Sequence, residues 1–551
     1  MPSSLEIAQA AQLRPIGQIA AEAGLEPDEV EPYGRYKAKI DLSVLERLQG
    51  RPDAKLICVT AITPTKAGEG KTTTAVSLTQ GLGAIGKRAV LCLREASVGP
   101  VFGIKGGAAG GGYTQVLPME DLNLHFTGDI HAIGAANNLL AAMLDSHILH
   151  GNVLGIDPLS ITWRRCVDMN DRALRQVAIG LGGRANGYVR ESGFDITAAS
   201  EVMAIVAVAC DLNDLRARLG AITVAHSFAG DAITAEQLKA AGAMTVLLKD
   251  ALKPNLVQTL EGQPAIVHCG PFANIAHGNN SLVADRAALK LGDYVVTESG
   301  FGSDMGMEKF LNIVCRIGGL APSAVVLVAT VRALKHHGGD PDGGRDALER
   351  GAENMRRHLE IVQGFGLKAV VAVNRFPTDT KEEVELVRRL ALEFGAHAAE
   401  VNDGFERGGA GATTLAEAVV EATLEPPAFD YTYPLEAPIK EKIEAIATRV
   451  YGADGVFFLK TATEKAAAYT AAGLDRLPIC MAKTHLSLSH DATLANAPKG
   501  FTVTVRDLRA YTGAGWIVAL CGDMQTMPGL AARPAAFDVD INDQGVTVGL
   551  F

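Results

Sequence analysis

The chain has 551 residues, 48% hydrophobic and 21% charged, a composition typical of a globular protein with roughly two to four domains. Its net charge of −11 excludes the basic surface that nucleic-acid binding requires, and no run approaches the ~20 apolar residues of a membrane-spanning helix. Eight scattered cysteines without a C-x-x-C pair, and a polar N-terminus without a signal peptide, predict a cytoplasmic protein with no nucleic-acid and no membrane partner.

The first recognisable pattern along the chain is strand, loop, helix, strand. After an amphipathic, helix-like lead-in over 1–50, an apolar and β-rich run over 55–62 predicts a buried strand. A helix-like segment over 75–85 and a second apolar run over 88–93 follow. This order predicts a βαβ unit with parallel strands.

The loop after the first strand reads Thr-Pro-Thr-Lys-Ala-Gly-Glu-Gly-Lys-Thr-Thr-Thr over 63–74. It ends in the Gly-Lys-Thr of a phosphate-binding loop, although Thr65 stands at the first glycine position of that motif. Backbone N–H groups would bind phosphate, Lys71 would reach the terminal phosphates, and Thr72 would meet Mg²⁺. The predicted nucleotide-binding residues are Thr65, Lys66, Ala67, Gly68, Glu69, Gly70, Lys71, Thr72 and Thr73. A glycine-rich turn before an ordinary helix is the alternative.

Candidate catalytic residues follow the second strand. Arg94 and Glu95 come at its carboxyl end, which faces the ligand crevice in open α/β sheets. The guanidinium of Arg94 suits a phosphoryl or carboxylate group, and Glu95 could orient Arg94, bind metal indirectly or assist proton transfer. A structural salt bridge is the alternative. The segment 103–113 holds six glycines, which indicates either a backbone that passes close to a ligand or a flexible surface loop.

His125, Asp129 and His131 cluster at spacings of four and two. A zinc site is conceivable, but no second ligand set is evident, and Asp129 is the better candidate for substrate binding or proton transfer. Asn274 and His277 follow a later predicted strand, where they face the same crevice or form a turn.

The remaining candidates lie after further predicted strands. The segment 328–339 carries Arg332, Lys335 and two histidines, a cationic end that suits anionic ligands. Phe376 and Phe405 lie beside a strand end and a glycine loop. Aromatic rings in such places can stack on flat heterocycles, with core packing as the alternative.

The alternation of elements predicts the fold class. Strands are predicted at 221–225, 265–268, 294–297, 324–329 and 369–374, and helices at 170–179, 201–209, 235–240, 282–290, 343–364 and 380–394. The prediction is an α/β fold with a large, P-loop NTPase-like, mostly parallel sheet, helices on both faces, and a smaller C-terminal α+β domain. With a linker at 425–434, the predicted domains are 1–360, 361–434 and 435–551.

Together these motifs resemble the formate–tetrahydrofolate ligase family, in its monofunctional bacterial form, along nearly the whole chain. The segments 103–113 and 328–339 are similar to signature sequences of that family, and its phosphate loop also has Thr at the position of Thr65. The resemblance implies ATP-dependent ligation of formate to tetrahydrofolate through formyl phosphate, giving 10-formyltetrahydrofolate, ADP and phosphate. Residues 1–360 would bind nucleotide and formyl phosphate, and 361–434 would contribute to the folate site.

The resemblance also implies residue roles, cofactors and assembly. The catalytic residues would be Lys71, Arg94, Glu95 and Asp129, and the folate-binding residues Phe376 and Phe405. Arg94 resembles the arginine that grips formate and formyl phosphate, and Glu95 and Asp129 match acidic positions near that intermediate. Phe405 stands where the family usually has Trp. Mg²⁺ with ATP, a potassium or ammonium ion, and a homotetramer are implied in the same way.

Two other functions stay open at this point. A different carboxylate-activating ligase of the phosphate-loop superfamily, such as dethiobiotin synthetase, also tolerates Thr in the first loop position. Such an enzyme is much shorter, and it leaves the two signature segments unexplained. A non-catalytic nucleotide switch of the partitioning-ATPase type would dimerise with nucleotide and show no stimulation by formate.

Overall fold

The computed structural model of the protein describes residues 1–66, 68–103, 107, 109–522 and 524–550. Within them the α-helices α1 to α19 are, in chain order, Ser4–Ala10, Ile16–Ala23, Ser43–Arg47, Lys71–Ala84, Val98–Gly103, Met119–Asn123, Asp129–Leu149, Glu201–Val208, Leu212–Ala221, Ala241–Leu248, Leu282–Leu291, Arg316–Gly318, Val331–His337, Arg345–Gly364, Lys381–Glu393, Gly404–Arg407, Thr413–Ala422, Ile439–Ala445 and Lys460–Ala471. The strands β1 to β25 are Val30–Pro32, Ala38–Ile40, Lys55–Ala61, Ala89–Leu93, Gly110–Gly111, Thr114–Leu117, Arg165–Val167, Val177–Ile179, Arg190–Ser192, Phe194–Ile196, Thr223–His226, Ala232–Thr234, Asn255–Thr259, Pro264–Val267, Tyr294–Gly302, Ala324–Ala329, Ala369–Asn374, Ala398–Asn402, Gly455–Phe458, Ile479–Ala482, Thr502–Val505, Asp507–Tyr511, Trp516–Leu520, Asp540–Ile541 and Thr547–Val548. No helix of this described part combines the length and apolar character needed to cross a membrane.

A large central sheet organises the fold. Its strand order is β1-β2-β13-β14-β4-β15-β3-β16-β17-β18, with β6 beside β13 and β5 beside β6. From β14 to β18 every neighbouring pair is parallel. The opposite edge, from β1 to β14, is antiparallel. The predicted α/β class with a large, parallel-rich sheet is therefore confirmed.

The predicted βαβ unit is present as β3, α4 and β4, but its two strands are not neighbours. β15 lies between β3 and β4 and is parallel to both. Its predicted range was 294–297, and the observed strand continues to Gly302. Side chains at the end of β15 therefore lie between the loop after β3 and the residues after β4.

Two predicted helices between α7 and β13 are wrong, and several strands of the central sheet were not predicted, among them β18 at one edge, and β1 and β2 within the lead-in over 1–50 that was predicted to be helix-like. Residues 170–179 were predicted to be a helix but form a 3-10 turn at Arg172–Leu174 followed by β8. Residues 235–240 were also predicted to be a helix, but the helix α10 begins only after them. The predicted strand over 221–225 appears as β11, but it pairs with β12 in a separate hairpin. Short apolar runs satisfy helix and strand patterns alike, so their packing partners decide the outcome. The half-buried strand β18 was missed for the same reason.

Helices cover both faces of the central sheet. Along β3, Leu56 and Cys58 belong to one hydrophobic cluster, whereas Ile57 and Val59 belong to another. This period of two is expected of a strand that is buried on both sides. α11 and α14 contribute to the first cluster, and α4 and α17 to the second.

A third hydrophobic cluster lies outside the central sheet. It joins α7, α8, α9 and α10 to apolar residues of the C-terminal part, among them Cys480 and Trp516. Other C-terminal residues, such as Ile479 and Ile517, belong to the cluster on the first sheet face. The domain edges at 360 and 434 stay predictions.

Candidate active site

The predicted phosphate-binding loop joins β3 to α4 at the carboxyl edge of the parallel strands. Gly68 and Gly70 have φ angles of 74° and 73°, in the left-handed region that favours glycine. A Cβ atom at Gly70 would lie 2.3 Å from Nδ2 of Asn374, so any other residue there would displace the Asn374 side chain. α4 begins at Lys71, and the first turn of a helix presents N–H groups without intrahelical partners to an anion. Ala67, predicted to bind nucleotide, lies outside the described residues.

A buried glutamate, Glu69, holds this loop in shape. Its Oε1 accepts hydrogen bonds from the backbone N–H and the hydroxyl of Thr65, both at 2.8 Å, and its Oε2 accepts one at 2.7 Å from Oγ1 of Thr330. Thr65 stands where the motif has glycine, and this bond gives its hydroxyl a structural role. Nη2 of Arg332 and Nδ2 of Asn374 donate to loop carbonyls at 2.8 and 3.2 Å. Residues that follow β16 and end β17 therefore fix the loop.

The magnesium-binding candidate Thr72 contacts an acid that the sequence analysis did not single out, Glu298 of β15. Oγ1 of Thr72 donates to Oε2 of Glu298 at 2.6 Å, and Nη2 of Arg94 lies 3.6 Å from Oε1 of the same carboxylate. Glu298 is buried, whereas Lys71, Thr72 and Thr73 are partly exposed in the first turn of α4. A carboxylate next to a loop hydroxyl offers the oxygen ligands that Mg²⁺ prefers. The one signal that the sequence offered was an acid at the end of an apolar strand.

The two predicted acidic residues, Glu95 and Asp129, are buried in different surroundings. Oε2 of Glu95 has no hydrogen-bond partner in the described part of the chain, and burial, followed by the charge of Asp129, raises the pKa of Glu95 well above its usual range. Asp129 instead accepts from Nζ of Lys39 at 2.8 and 3.0 Å and from Nδ2 of Asn255 at 2.8 Å. Burial lowers the pKa of the adjacent His268 to about 4, so its imidazole is neutral. The carboxylate of Asp129 is thus paired with Lys39 and Asn255, whereas Oε2 of Glu95 has no such partner among the described residues and stays available for proton transfer.

Replacing Glu95 by glutamine is expected to stabilise the fold at neutral pH. Because the folded-state pKa of Glu95 is raised, ionisation of this carboxyl opposes folding once the pH exceeds its usual value of 4.5. This unfavourable contribution to the free energy of unfolding is absent below pH 4.5 and grows until the pH passes the folded-state pKa of Glu95. Urea unfolding at about pH 5 and about pH 8 measures it, and the gain of Glu95→Gln should be larger at the higher pH.

The control for this experiment is Glu417→Gln, on the exposed side of α17, which should change stability little at either pH. An equal gain of Glu95→Gln at both pH values would contradict a raised pKa for Glu95.

The glycine-rich segment brings the chain against the loop that carries Phe405. The backbone N–H of Tyr113 donates to the carbonyl oxygen of Phe405 at 2.9 Å. A Cβ atom at Gly112 would lie 2.2 Å from that oxygen, so the close approach requires glycine. Residues 104–106 and 108 of this segment lie outside the described part.

The two predicted stacking residues follow neighbouring strands, β17 and β18. The guanidinium carbon of Arg332 lies 4.5 Å from the ring centroid of Phe376, and Phe405 is 37% exposed. An ion pair of 2.6 Å between Nε of Arg375 and Oδ1 of Asp403 joins their two loops. Both rings therefore lie at the same edge of the sheet as the phosphate-binding loop.

The predicted histidine candidates do not form a common cluster. His125 and His131 are exposed, whereas Asp129 between them is buried. Across the described residues, no three His, Cys, Asp or Glu side chains are placed to hold a metal ion. His277 is fully buried, and burial lowers its pKa to about 3, while Asn274 donates to the carbonyl of Lys483 at 3.4 Å.

A further aromatic residue beside the site, Phe301, was not predicted. It follows Glu298 in β15 with a φ of 60°, and its ring stacks on the imidazole of His485 with centroids 4.3 Å apart. Non-glycine residues held at positive φ cluster at functional sites. The sequence carries no signal for this stacking, because the two residues are brought together only by the tertiary structure.

Comparison with known proteins agrees with this geometry. The family model described as formate–tetrahydrofolate ligase matches residues 2–551. The chain is 57% identical to the formate–tetrahydrofolate ligase of Desulforamulus reducens, 56% to that of Roseiflexus sp. and 54% to that of Saccharopolyspora erythraea, in each case over 100% of both chains. A match of this extent excludes the shorter carboxylate-activating ligase considered above. The chain belongs to the formate–tetrahydrofolate ligase family.

Proposed function

We propose that this protein ligates formate to tetrahydrofolate at the expense of ATP, giving 10-formyltetrahydrofolate, ADP and phosphate through formyl phosphate. Besides the family, one observation carries the proposal: Glu298 contacts both Thr72 of the phosphate-binding loop and Arg94. A phosphate site and a carboxylate-binding arginine therefore share one buried acid.

ATP would bind with its phosphates in the loop between β3 and α4, as in a P-loop NTPase. The loop N–H groups and Lys71 would hold the transferring phosphoryl group. Mg²⁺ would be held by Thr72, with Glu298 beside it, and would neutralise the charge that develops on the phosphate oxygens.

Formate and then formyl phosphate would bind at Arg94, whose fork suits both anions. The bridging amine of tetrahydrofolate attacks the formyl carbon, and phosphate leaves. Glu95 is our candidate to accept the proton of that amine, since its Oε2 has no partner within the described structure. The ion pair of Lys39 with Asp129 would hold that second acid in place. Most of the rate gain would come from holding two reactive partners in position.

The pterin would stack on Phe376 and Phe405, at the edge where β17 and β18 end. Phe405→Ala is expected to raise the KM for tetrahydrofolate far more than the KM for ATP, because stacking of a base on an aromatic ring contributes about 1–3 kcal/mol. Phe405→Trp should lower the folate KM, since it enlarges the stacking face. Initial rates with each substrate varied in turn give both values. Equal effects of Phe405→Ala on the two substrates would assign this residue to packing alone.

The homotetramer, the cytoplasmic location and the dependence on potassium or ammonium are proposed on the family resemblance. Structural features support the first two. Val153, Leu159 and Phe228 are 87%, 90% and 73% exposed, and a hydrogen bond from Phe228 N–H to Gly155 O at 2.8 Å joins their loops. Such an apolar patch fits burial in a homotetramer, which sedimentation equilibrium tests. The eight cysteines are free thiols, in keeping with a cytoplasmic location.

The deciding assay is product formation from ATP, Mg²⁺, formate and tetrahydrofolate, with and without potassium or ammonium. Acid converts 10-formyltetrahydrofolate to the absorbing methenyl form, which is read by its absorbance. Signal that requires all three substrates establishes the reaction. Nucleotide-dependent dimerisation without formate stimulation would instead favour a nucleotide switch.

A further inference from the structure

Two asparagines lie side by side at the ends of β17 and β18. Asn374 and Asn402 are the last residues of these neighbouring strands and are paired in the parallel register. They are 5% and 0% exposed, and Nδ2 of Asn402 donates to Oδ1 of Asn374 at 3.4 Å. Strand β17 precedes Phe376 and β18 precedes Phe405, so the pair lies where the two proposed stacking residues follow the sheet.

The Asn374 amide extends this pair to the phosphate-binding loop. Its Nδ2 donates to the carbonyl oxygen of Glu69 at 3.2 Å, in the peptide that joins Glu69 to Gly70 just before α4. A Cβ atom at Gly70 would lie only 2.3 Å from the same Nδ2, so the amide packs directly against the loop backbone. A shift of this peptide on nucleotide binding would therefore displace the Asn374 amide.

The Asn402 amide extends the pair in the other direction, to the segment that carries Phe405. Its Oδ1 accepts from the backbone N–H of Gly404 at 3.2 Å and from Oγ of Ser77 at 2.8 Å, and its Nδ2 also donates to Oγ1 of Thr74 at 3.2 Å. All four hydrogen-bonding positions of this buried amide are thus occupied. Gly404 is the first residue of α16, the helix that includes Phe405.

The segment that carries Phe405 also packs on the side of α4, without room for larger residues. A Cβ atom at Gly404 would lie 2.3 Å from Cβ of Ser77, and one at Gly81 would lie 2.7 Å from the carbonyl oxygen of Ala412. Because α4 begins at the proposed phosphate site, these contacts and the amide pair join that site to the segment around Phe405. Such close packing leaves little freedom for one of them to move alone.

We propose that Asn374 and Asn402 couple the nucleotide site to the folate site. The inference rests on the proposed function and adds two positioning residues to it. Phosphates bound to the loop would fix the peptide that follows Glu69. The two amides would then hold the N–H of Gly404, and with it the ring of Phe405, in the position that stacks on the pterin. Because coupling between two sites is reciprocal, bound folate would in turn favour nucleotide binding.

The test is the dissociation constant of tetrahydrofolate, measured by isothermal titration calorimetry with and without a non-hydrolysable ATP analogue and Mg²⁺. In the wild-type protein the nucleotide should lower this Kd by about fivefold or more, the usual size of a coupling between sites. Asn374→Ala and Asn402→Ala should each bring the ratio of the two Kd values close to one. Because the two amides act in series, the double variant should show the same ratio as either single variant.

Ser77→Ala is the matched control, because it removes a hydrogen bond to Oδ1 of Asn402 but leaves the bonds to Asn374 and Gly404 in place. Its Kd ratio should equal that of the wild type. Asn402→Asp repeats the test without the cavity that alanine leaves, since it keeps the acceptor oxygen and removes the amide donor to Asn374. Thermal unfolding followed by circular dichroism shows that each variant is folded.

A wild-type Kd that the nucleotide leaves unchanged would overturn the proposal, as would a wild-type ratio in the asparagine variants. A lower melting temperature together with a wild-type ratio would assign the two asparagines to the fold alone. If tetrahydrofolate bound the wild-type protein under neither condition, the proposed function itself would be contradicted, and the coupling with it. That result differs from a failure of the coupling alone, in which tetrahydrofolate binds but the ratio does not respond to the variants.

Discussion

Replacing Lys71 by alanine is expected to abolish formate-dependent ADP release without unfolding the protein. The lysine is the first residue of α4 and is partly exposed, so its loss would remove the proposed phosphate ligand and little packing. Loss of a cation that stabilises a transferring phosphoryl group typically costs a factor of about 10³ or more in rate. A coupled ADP assay gives the rate, and thermal unfolding followed by circular dichroism gives the stability.

The matched control is Lys87→Ala. Lys87 is exposed just beyond the other end of α4, so the same substitution there should change neither rate nor melting temperature. Retained activity of Lys71→Ala would show that the loop is not the phosphate site. A large drop in melting temperature would show that Lys71 supports the fold instead.

Glu298→Gln is expected to lower kcat by a factor of about 10² or more, the usual cost of removing one preorganised electrostatic group. Glutamine keeps the size of the side chain and can still accept from Thr72. It removes the negative charge that lies 3.6 Å from Nη2 of Arg94 and that would assist Mg²⁺. The variant should therefore also need a higher Mg²⁺ concentration for half-maximal rate. Initial rates across a Mg²⁺ titration measure both effects.

A double-mutant cycle that combines Glu298→Gln with Thr72→Ala distinguishes a specific interaction between these two residues from a general loss of structure. Thr72 and Glu298 share one hydrogen bond of 2.6 Å, so their effects on rate should be far from additive. Independent, additive losses, or a normal Mg²⁺ requirement in Glu298→Gln, would contradict the shared site.

Much of the fold followed from local patterns. The strands over 55–62, 88–93, 324–329 and 369–374 were predictable because parallel strands buried on both faces appear as continuous apolar runs. The helices over 343–364 and 380–394 were predictable from their amphipathic periodicity. Between α7 and β13, the helix predicted over 201–209 is present as α8, but the helices predicted over 170–179 and 235–240 are not, since short apolar runs take their structure from the elements that they pack against.

The sequence by itself determined the family, the sheet-rich α/β class and the loop that ends in Lys71 and Thr72, because each depends on contiguous residues with a fixed spacing. Only the tertiary structure decided which side chains from distant parts of the chain contact the predicted site residues. Glu298 reaches Thr72 because β15 lies between β3 and β4, and Lys39 reaches Asp129 from 90 residues away in the chain. A linear pattern carries no record of such pairings, since strand order and burial bring together residues that are far apart in sequence.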